Sequence, residues 1–230
     1  MDAARLLAAL GAALDGGQPF VPHAVAAVPP PARLPGGAAI AVPTSGSTGD
    51  PRWVALSASA VCASARLSAA RLGGAGHWLL ALPPTHIAGL NVVIRALLSG
   101  GALRAMAPGR FTAEGFAAAA AALPPGARFT SLVPTQLRRL LDGGSGALRA
   151  LAGFDAVLVG GAALDLGLRE RAVAAGVRVV ETYGMAETCG GCVYDGVPLD
   201  DVSVRVTDDG RIAVAGPGRA TGDISQAEGR

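Results

Sequence analysis

The sequence predicts an α/β fold, a mostly parallel sheet with helices on both faces and a small β-hairpin region towards the C-terminal end. Three observations predict it. Short β-like runs alternate with helical stretches from about residue 38 to residue 182, the pattern of repeated βαβ units. At 230 residues, 51% hydrophobic and 16% charged, the chain is long enough for one large or two small cored domains. Glycine-bearing stretches stand at the ends of several β-like runs, where open α/β sheets collect their ligands.

The first ten residues, with Asp2 and Arg5 beside the apolar positions and no clean cleavage site, read as an amphipathic helix and not as a signal peptide. The Pro/Gly-rich stretch Pro29–Gly37 links this helix to the first expected strand, so residues 1–37 form a helix and linker, residues 38–188 an α/β core and residues 189–230 a β-rich segment. Expected strands are Ala38–Pro43, Trp78–Leu82, Ala102–Ala107, Arg128–Val133, Ala156–Val159 and Val177–Glu181. Between them lie helical stretches Ser57–Leu72, with Ser57 as N-cap, then Thr112–Ala122, Pro134–Leu141 and Leu164–Ala175. Asp142–Gly146 reads as a surface turn, and His86 opens a further apolar helical stretch. The Val-alternating runs Val202–Val206 and Arg211–Ala215, split by Asp208-Asp209-Gly210, signal a hairpin.

Composition narrows the function. All 19 basic residues are arginine, so any lysine chemistry needs an arginine substitute, a partner chain or a further segment. A net charge of +2 with scattered arginines gives no footprint for nucleic acid. The apolar runs stay well short of the ~18–20 residues of a membrane span. Three cysteines, Cys62, Cys189 and Cys192, make no disulfide framework and fit a reducing, cytoplasmic setting.

Three stretches carry candidate chemistry. Thr44-Ser45-Gly46-Ser47-Thr48-Gly49-Asp50-Pro51-Arg52 follows an expected strand and precedes an expected helix. Its glycines let the backbone approach an oxyanion, and its hydroxyls and N–H groups offer donors to phosphate. It is not a Walker A loop, which requires lysine, and a Ser/Gly-rich surface loop is the plain alternative. Val157-Leu158-Val159-Gly160-Gly161 ends a buried-strand run in paired glycines, which serve equally as a ligand approach or as a turn. Glu181-Thr182-Tyr183-Gly184-Met185-Ala186-Glu187-Thr188 combines an aromatic ring, a close-approach glycine, a carboxylate suited to Mg²⁺ and hydroxyls suited to phosphate. Cys189 and Cys192 lack a second ligand pair at zinc spacing. His23 and His77 read as structural or solvated, and Glu114, Glu170, Arg138 and Arg139 as solvated helix faces.

The order of these stretches, with Thr221-Gly222-Asp223 after them, resembles the adenylate-forming acyl-CoA synthetase superfamily. With Leu82-Pro83-Pro84-Thr85-His86-Ile87-Ala88-Gly89-Leu90, Ser131-Leu132-Val133-Pro134-Thr135-Gln136-Leu137 and Cys189-Gly190-Gly191-Cys192-Val193-Tyr194-Asp195-Gly196, it is most similar to the o-succinylbenzoate–CoA ligases of menaquinone biosynthesis. The resemblance covers about residues 38–223 and implies ATP (AMP), Mg²⁺ and CoA as cofactors and co-substrates, a small carboxylate as substrate, and a homodimer. It implies that Ser45, Gly46, Ser47, Thr48 and Gly49 with Thr44 embrace the β- and γ-phosphates, Arg52 standing where the family usually has lysine. Gly160, Gly161 and Ala162 would line the adenine, with Tyr183 against its ring and Gly184 close by. Glu187 would hold Mg²⁺, Thr188 would approach the α-phosphate, and Asp223 would take the ribose hydroxyls. His86, Gly89, Thr135, Met185 and Ala186 would shape the acyl pocket. Ala186 departs from the family's usual hydroxyl. The family pattern continues through a hinge into a small domain whose lysine drives adenylation, whereas this sequence stops at Arg230. The resemblance therefore implies binding with slow adenylate formation. The alternatives are a ligase for another aryl or aliphatic carboxylate, or a nucleotide-binding module without efficient turnover.

Overall fold

The computed structural model describes residues 2–22, 31, 33–44 and 52–224, residues 222–224 by backbone alone. Helix α1 (Ala3–Leu14) buries Leu6, Leu10 and Ala13, a stripe at four- and three-residue spacing. Strand β1 (Ala38–Thr44) leads through residues 45–51 to β2 (Arg52–Ser57) and directly into α2 (Ala58–Leu72), whose N-cap Ser57 accepts a hydrogen bond from the Ala60 N–H at 3.2 Å. Next come β3 (His77–Leu80), α3 (Ile87–Ser99), β4 (Leu103–Ala105), α4 (Ala113–Ala121) and β5 (Arg128–Leu132). Helix α5 (Pro134–Leu141) begins on a proline whose missing N–H is no loss at a helix start. Then come α6 (Gly144–Ala152), β6 (Ala156–Val159), α7 (Leu166–Ala174) and β7 (Val179–Met185), which runs into a single 3-10 turn, Ala186–Thr188. The remainder is β8 (Gly190–Tyr194), β9 (Val197–Pro198), β10 (Ser203–Val206), β11 (Ile212–Ala215) and β12 (Gly222–Ile224).

Seven strands form one sheet in the order β4-β3-β5-β6-β7-β8-β9, parallel from β4 to β7 and antiparallel beyond it. The period-two pleat divides its side chains between two cores. Trp78, Leu80, Phe129 and Leu158 face a cluster that includes α1, α2 and α3. Leu79, Leu132, Val157 and Val159 face a second cluster built with α4, α5, α6 and α7. Helices thus cover both faces, as expected. A smaller three-stranded sheet, β1-β2-β12, packs Ile40, Val42, Val54 and Leu56 into the first cluster.

Three departures from the sequence-based expectations have physical causes. The 45–51 segment joins two antiparallel strands, with Thr44 opposite Arg52, and does not connect a strand to a helix. The Trp-Val-Ala-Leu run after Arg52 is β2, completely buried between the two ends of the strand. Residues 144–152 are helical despite Gly144 and Gly146, because Ala147 and Leu151, one turn apart, enter the second core. Strands β8 and β9 continue the main sheet, and Cys189, Tyr194 and Leu199 lie in the first cluster, so packing does not break at residue 188. The expected hairpin is present as β10 and β11, with Val204 opposite Val214.

Candidate active site

The strand order itself opens the site. From β3 the chain crosses through α3 to β4 on one side, then returns through α4 to β5 on the other side of β3. Loops leaving the carboxyl ends of β3 and β5 therefore diverge, leaving a crevice at the switch point. One side chain ties its lips together. Gln136 on α5 donates from Nε2 to the Ala81 carbonyl at 2.9 Å, and its Oε1 accepts from the Val133 N–H at 3.1 Å.

The crevice widens into a cleft of about 690 Å³ whose lining includes Thr44, Arg52, His86, Val133, Met185 and Glu187. An inner cavity of about 120 Å³ adjoins it, and Leu82, Ile87, Ala88, Val133 and Gly161 are walls of both. Asn91, Arg95, Ser131, Thr182 and Tyr194 give the inner cavity polar groups in an otherwise apolar shell.

Several expected site residues meet here. His86 is the exposed N-cap residue of α3, without a side-chain capping bond, and it lines the cleft. Gly89 and Ala186 line it too; a Cβ on Gly89 would run into the Pro83 carbonyl, so the first turn of α3 needs glycine to lie against the Pro83–Pro84 loop. Gly160, Gly161 and Gly184 line the inner cavity. Ser45, Gly46, Ser47, Thr48 and Gly49 lie outside the described residues, but their flanks Thr44 and Arg52 are side by side in the cleft wall. Asp223 stands on β12 opposite Val54, and its side chain is outside the described atoms.

Others stand apart. Thr135, in the first turn of α5, and Ala162, beyond the paired glycines, are exposed and line neither cavity. Tyr183 is 42% exposed at the end of β7, on the strand face opposite Thr182 and Gly184, and also lines neither. Thr188 is buried, and its hydroxyl is committed within the turn. It accepts from the Met185 N–H at 3.0 Å and donates to the Gly190 carbonyl at 2.7 Å. That bond pattern makes it a brace for Glu187.

The turn carrying Glu187 is held from several sides. A β-bulge puts two residues of β8 against one of β7 between Tyr183 and Gly184, beside the site. Cys189 comes next with a left-handed backbone, φ 52°, and its carbonyl accepts from Asn91 Nδ2 at 2.7 Å and Ser64 Oγ at 3.3 Å. The Glu187 carbonyl accepts from the Ala220 N–H at 2.8 Å. Burial pushes the Cys189 thiol up to about 12, and burial also raises Cys192 against a lowering hydrogen bond from Thr188. Both are inert packing groups at neutral pH. Among the described residues no three His, Cys, Asp or Glu side chains gather as a metal cage.

Arg95 is a site residue that motif reading missed. It is 6% exposed, its NH2 group donates to the Tyr194 hydroxyl at 3.1 Å, and its guanidinium carbon lies 5.3 Å from the centre of the Trp78 ring. Its Nε has no acceptor. A signal was present: Asn91 and Arg95 are four apart in an otherwise apolar helix, which places two polar groups on one buried face.

The family model described as AMP-binding enzyme matches residues 7–222. The chain belongs to this family. Among curated relatives, the probable 2-succinylbenzoate–CoA ligase of Mycobacterium tuberculosis is 48% identical over 185 residues, covering 80% of this chain and 48% of the relative. The 2-succinylbenzoate–CoA ligase of Salmonella typhimurium is 34% identical over 175 residues, covering 72% of this chain and 35% of its own length. The chain thus spans about half or less of these relatives. Among solved structures, the o-succinylbenzoate coenzyme A synthetase of Bacillus subtilis in complex with ATP and magnesium ion superimposes with a TM-score of 0.70 at 26% identity, over 81% of this chain and 42% of that one. A malonyl-CoA ligase bound to methylmalonyl-CoA and AMP gives 0.69 at 30% identity, over 84% and 46%. No helix among the described residues is long and apolar enough to cross a membrane.

Proposed function

We propose that this chain is the nucleotide- and acyl-binding part of a 2-succinylbenzoate–CoA ligase, an adenylate-forming acid–thiol ligase. The observation that carries the reading is a pair of adjoining cavities with shared walls, Arg52, Thr44 and Glu187 lining the larger cleft and the buried Arg95 lining the inner cavity. The 48% identity to a probable ligase of that name supports the substrate.

A carboxylate is a poor acyl donor. In this reading its oxygen attacks the α-phosphorus of ATP, pyrophosphate leaves, and the acyl-adenylate forms. A thiolate of CoA then attacks the acyl carbon and AMP leaves. Such displacements depend chiefly on positioning and charge neutralisation. Arg52 supplies positive charge close in sequence to residues 45–49, and a guanidinium can grip phosphate oxygens by two parallel hydrogen bonds. Glu187 is the one carboxylate in the described cleft lining, and Mg²⁺ characteristically takes one or two carboxylates and completes its shell with phosphate oxygens and water. The donor set fits that ion, which when bound neutralises phosphate charge. 2-Succinylbenzoate carries two carboxylates, of which one reacts. Arg95, a nearly buried cation that lines the inner cavity, is suited to receive the other.

Calorimetric titration tests the reading on this chain. A non-hydrolysable 2-succinylbenzoyl-adenylate analogue binds more tightly than its malonyl or fatty-acyl counterparts. Tighter binding of either counterpart rejects the substrate, and equal affinity of Arg52→Ala for ATP rejects the phosphate role.

A further inference from the structure

Arg95 borders more than the inner cavity. Between α2 and α3, a second groove of about 240 Å³ is lined chiefly by Ala65, Ala69, Trp78 and Leu98, with Arg66 and Ser99 as further polar members beside Arg95. The two cavities have a single lining residue in common, and it is Arg95. The side chain is held from both directions: Tyr194, itself 2.7 Å from the Ser68 hydroxyl, on the cavity side, and the Trp78 ring on the groove side. The groove walls are mostly small and apolar, the lining a polymethylene chain would need.

We propose that the Arg95 side chain is the partition that ends the acyl pocket and so limits acyl length, and that its removal joins the pocket to the α2–α3 groove. This rests on the acyl-adenylate reading of the site. In it Arg95 has two separable parts: its charge selects an acid with a second carboxylate, and its bulk excludes long chains. Leucine in its place keeps bulk and loses charge; alanine loses both.

The test titrates straight-chain acyl-sulfamoyl adenosines, butanoyl to dodecanoyl, into the wild type, Arg95→Leu and Arg95→Ala. Wild type and Arg95→Leu are expected to stop gaining affinity after the shorter acyl groups. Arg95→Ala continues to gain about fourfold per added methylene, the factor for burying one CH₂. Adding Ala69→Phe, which fills the groove, abolishes that gain. Ala69→Phe alone leaves the wild-type length profile unchanged, and this arm stands even if Arg95→Ala does not fold. Parallel length profiles in wild type and Arg95→Ala overturn the partition, as does a profile altered by Ala69→Phe alone. Failure of every protein to bind any analogue overturns the acyl-adenylate reading, and the partition with it.

Discussion

Replacing Tyr194 by phenylalanine isolates the energetics of the buried cation. Tyr194 is 1% exposed, so its hydroxyl has little access to water as an alternative partner. It meets Ser68 Oγ at 2.7 Å and accepts from Arg95 at 3.1 Å. The first contact is a neutral hydrogen bond worth about 1 kcal/mol, and the second, to a charged group, is worth about 2 kcal/mol. Tyr194→Phe should therefore cost about 3 kcal/mol, which for a chain of this size lowers the melting temperature by about 6–12 °C. Ser68→Ala removes only the neutral bond and should cost about 1 kcal/mol, or about 2–4 °C. The assay is thermal and urea denaturation followed by far-ultraviolet circular dichroism. In an Arg95→Leu background the cation is gone, so Tyr194→Phe should cost only about 1 kcal/mol, an interaction energy of about 2 kcal/mol between the two positions. A Tyr194→Phe loss no greater than that of Ser68→Ala, or the same loss with and without Arg95, would refute the view that an incompletely paired guanidinium dominates this part of the core.

Glu187→Gln should weaken Mg·ATP binding by about tenfold or more, because even outer partners of a metal ion are commonly worth that much, while AMP affinity stays the same; equal Mg·ATP affinity by titration calorimetry removes the metal role. Gly89→Ala should cost about 1–3 kcal/mol by pushing α3 off the Pro83 carbonyl, read as a lower urea midpoint, and an unchanged midpoint contradicts the packing described. Cys189 has a folded-state value raised to about 12 from 9.0, so the folded state retains its proton where the unfolded state loses it. Its contribution is complete below pH 9.0 and declines as pH rises towards about 12, by about 1.4 kcal/mol per unit. Wild type should lose stability more steeply than Cys189→Ala across that interval, and equal slopes count against it.

Much of the fold was readable because local signals and global packing agree. Ala156–Val159 and Pro134–Leu141 are bounded as expected, the first by a uniformly apolar run and the second by an N-terminal proline. Ser57 caps α2 as its side chain suggested. The β2 strand was obscured because its six residues abut the helix with no turn between them, so the loop appeared to feed α2 directly. For the site, the motifs led to the cleft but not to the division of labour within it. Tyr183 and Thr182 are neighbours in sequence and on opposite faces of β7, and only the pleat decides which one reaches the inner cavity. Thr188 offered a hydroxyl that the turn itself consumes. Arg95 belongs to no loop motif, and its importance arises from α3 crossing behind the sheet, a relation between distant segments.

The amide of Gln136 spans the switch point, holding Ala81 on one lip and Val133 on the other before any ligand arrives. A ligand entering between β3 and β5 meets a gap whose width is already set by one side chain of fixed length. The ordering entropy of that wall is charged to folding and not to association, which leaves more of the contact energy available as affinity. Shortening Gln136 would move that cost back to the binding step, and weaker association would result with every ligand-contacting group still in place.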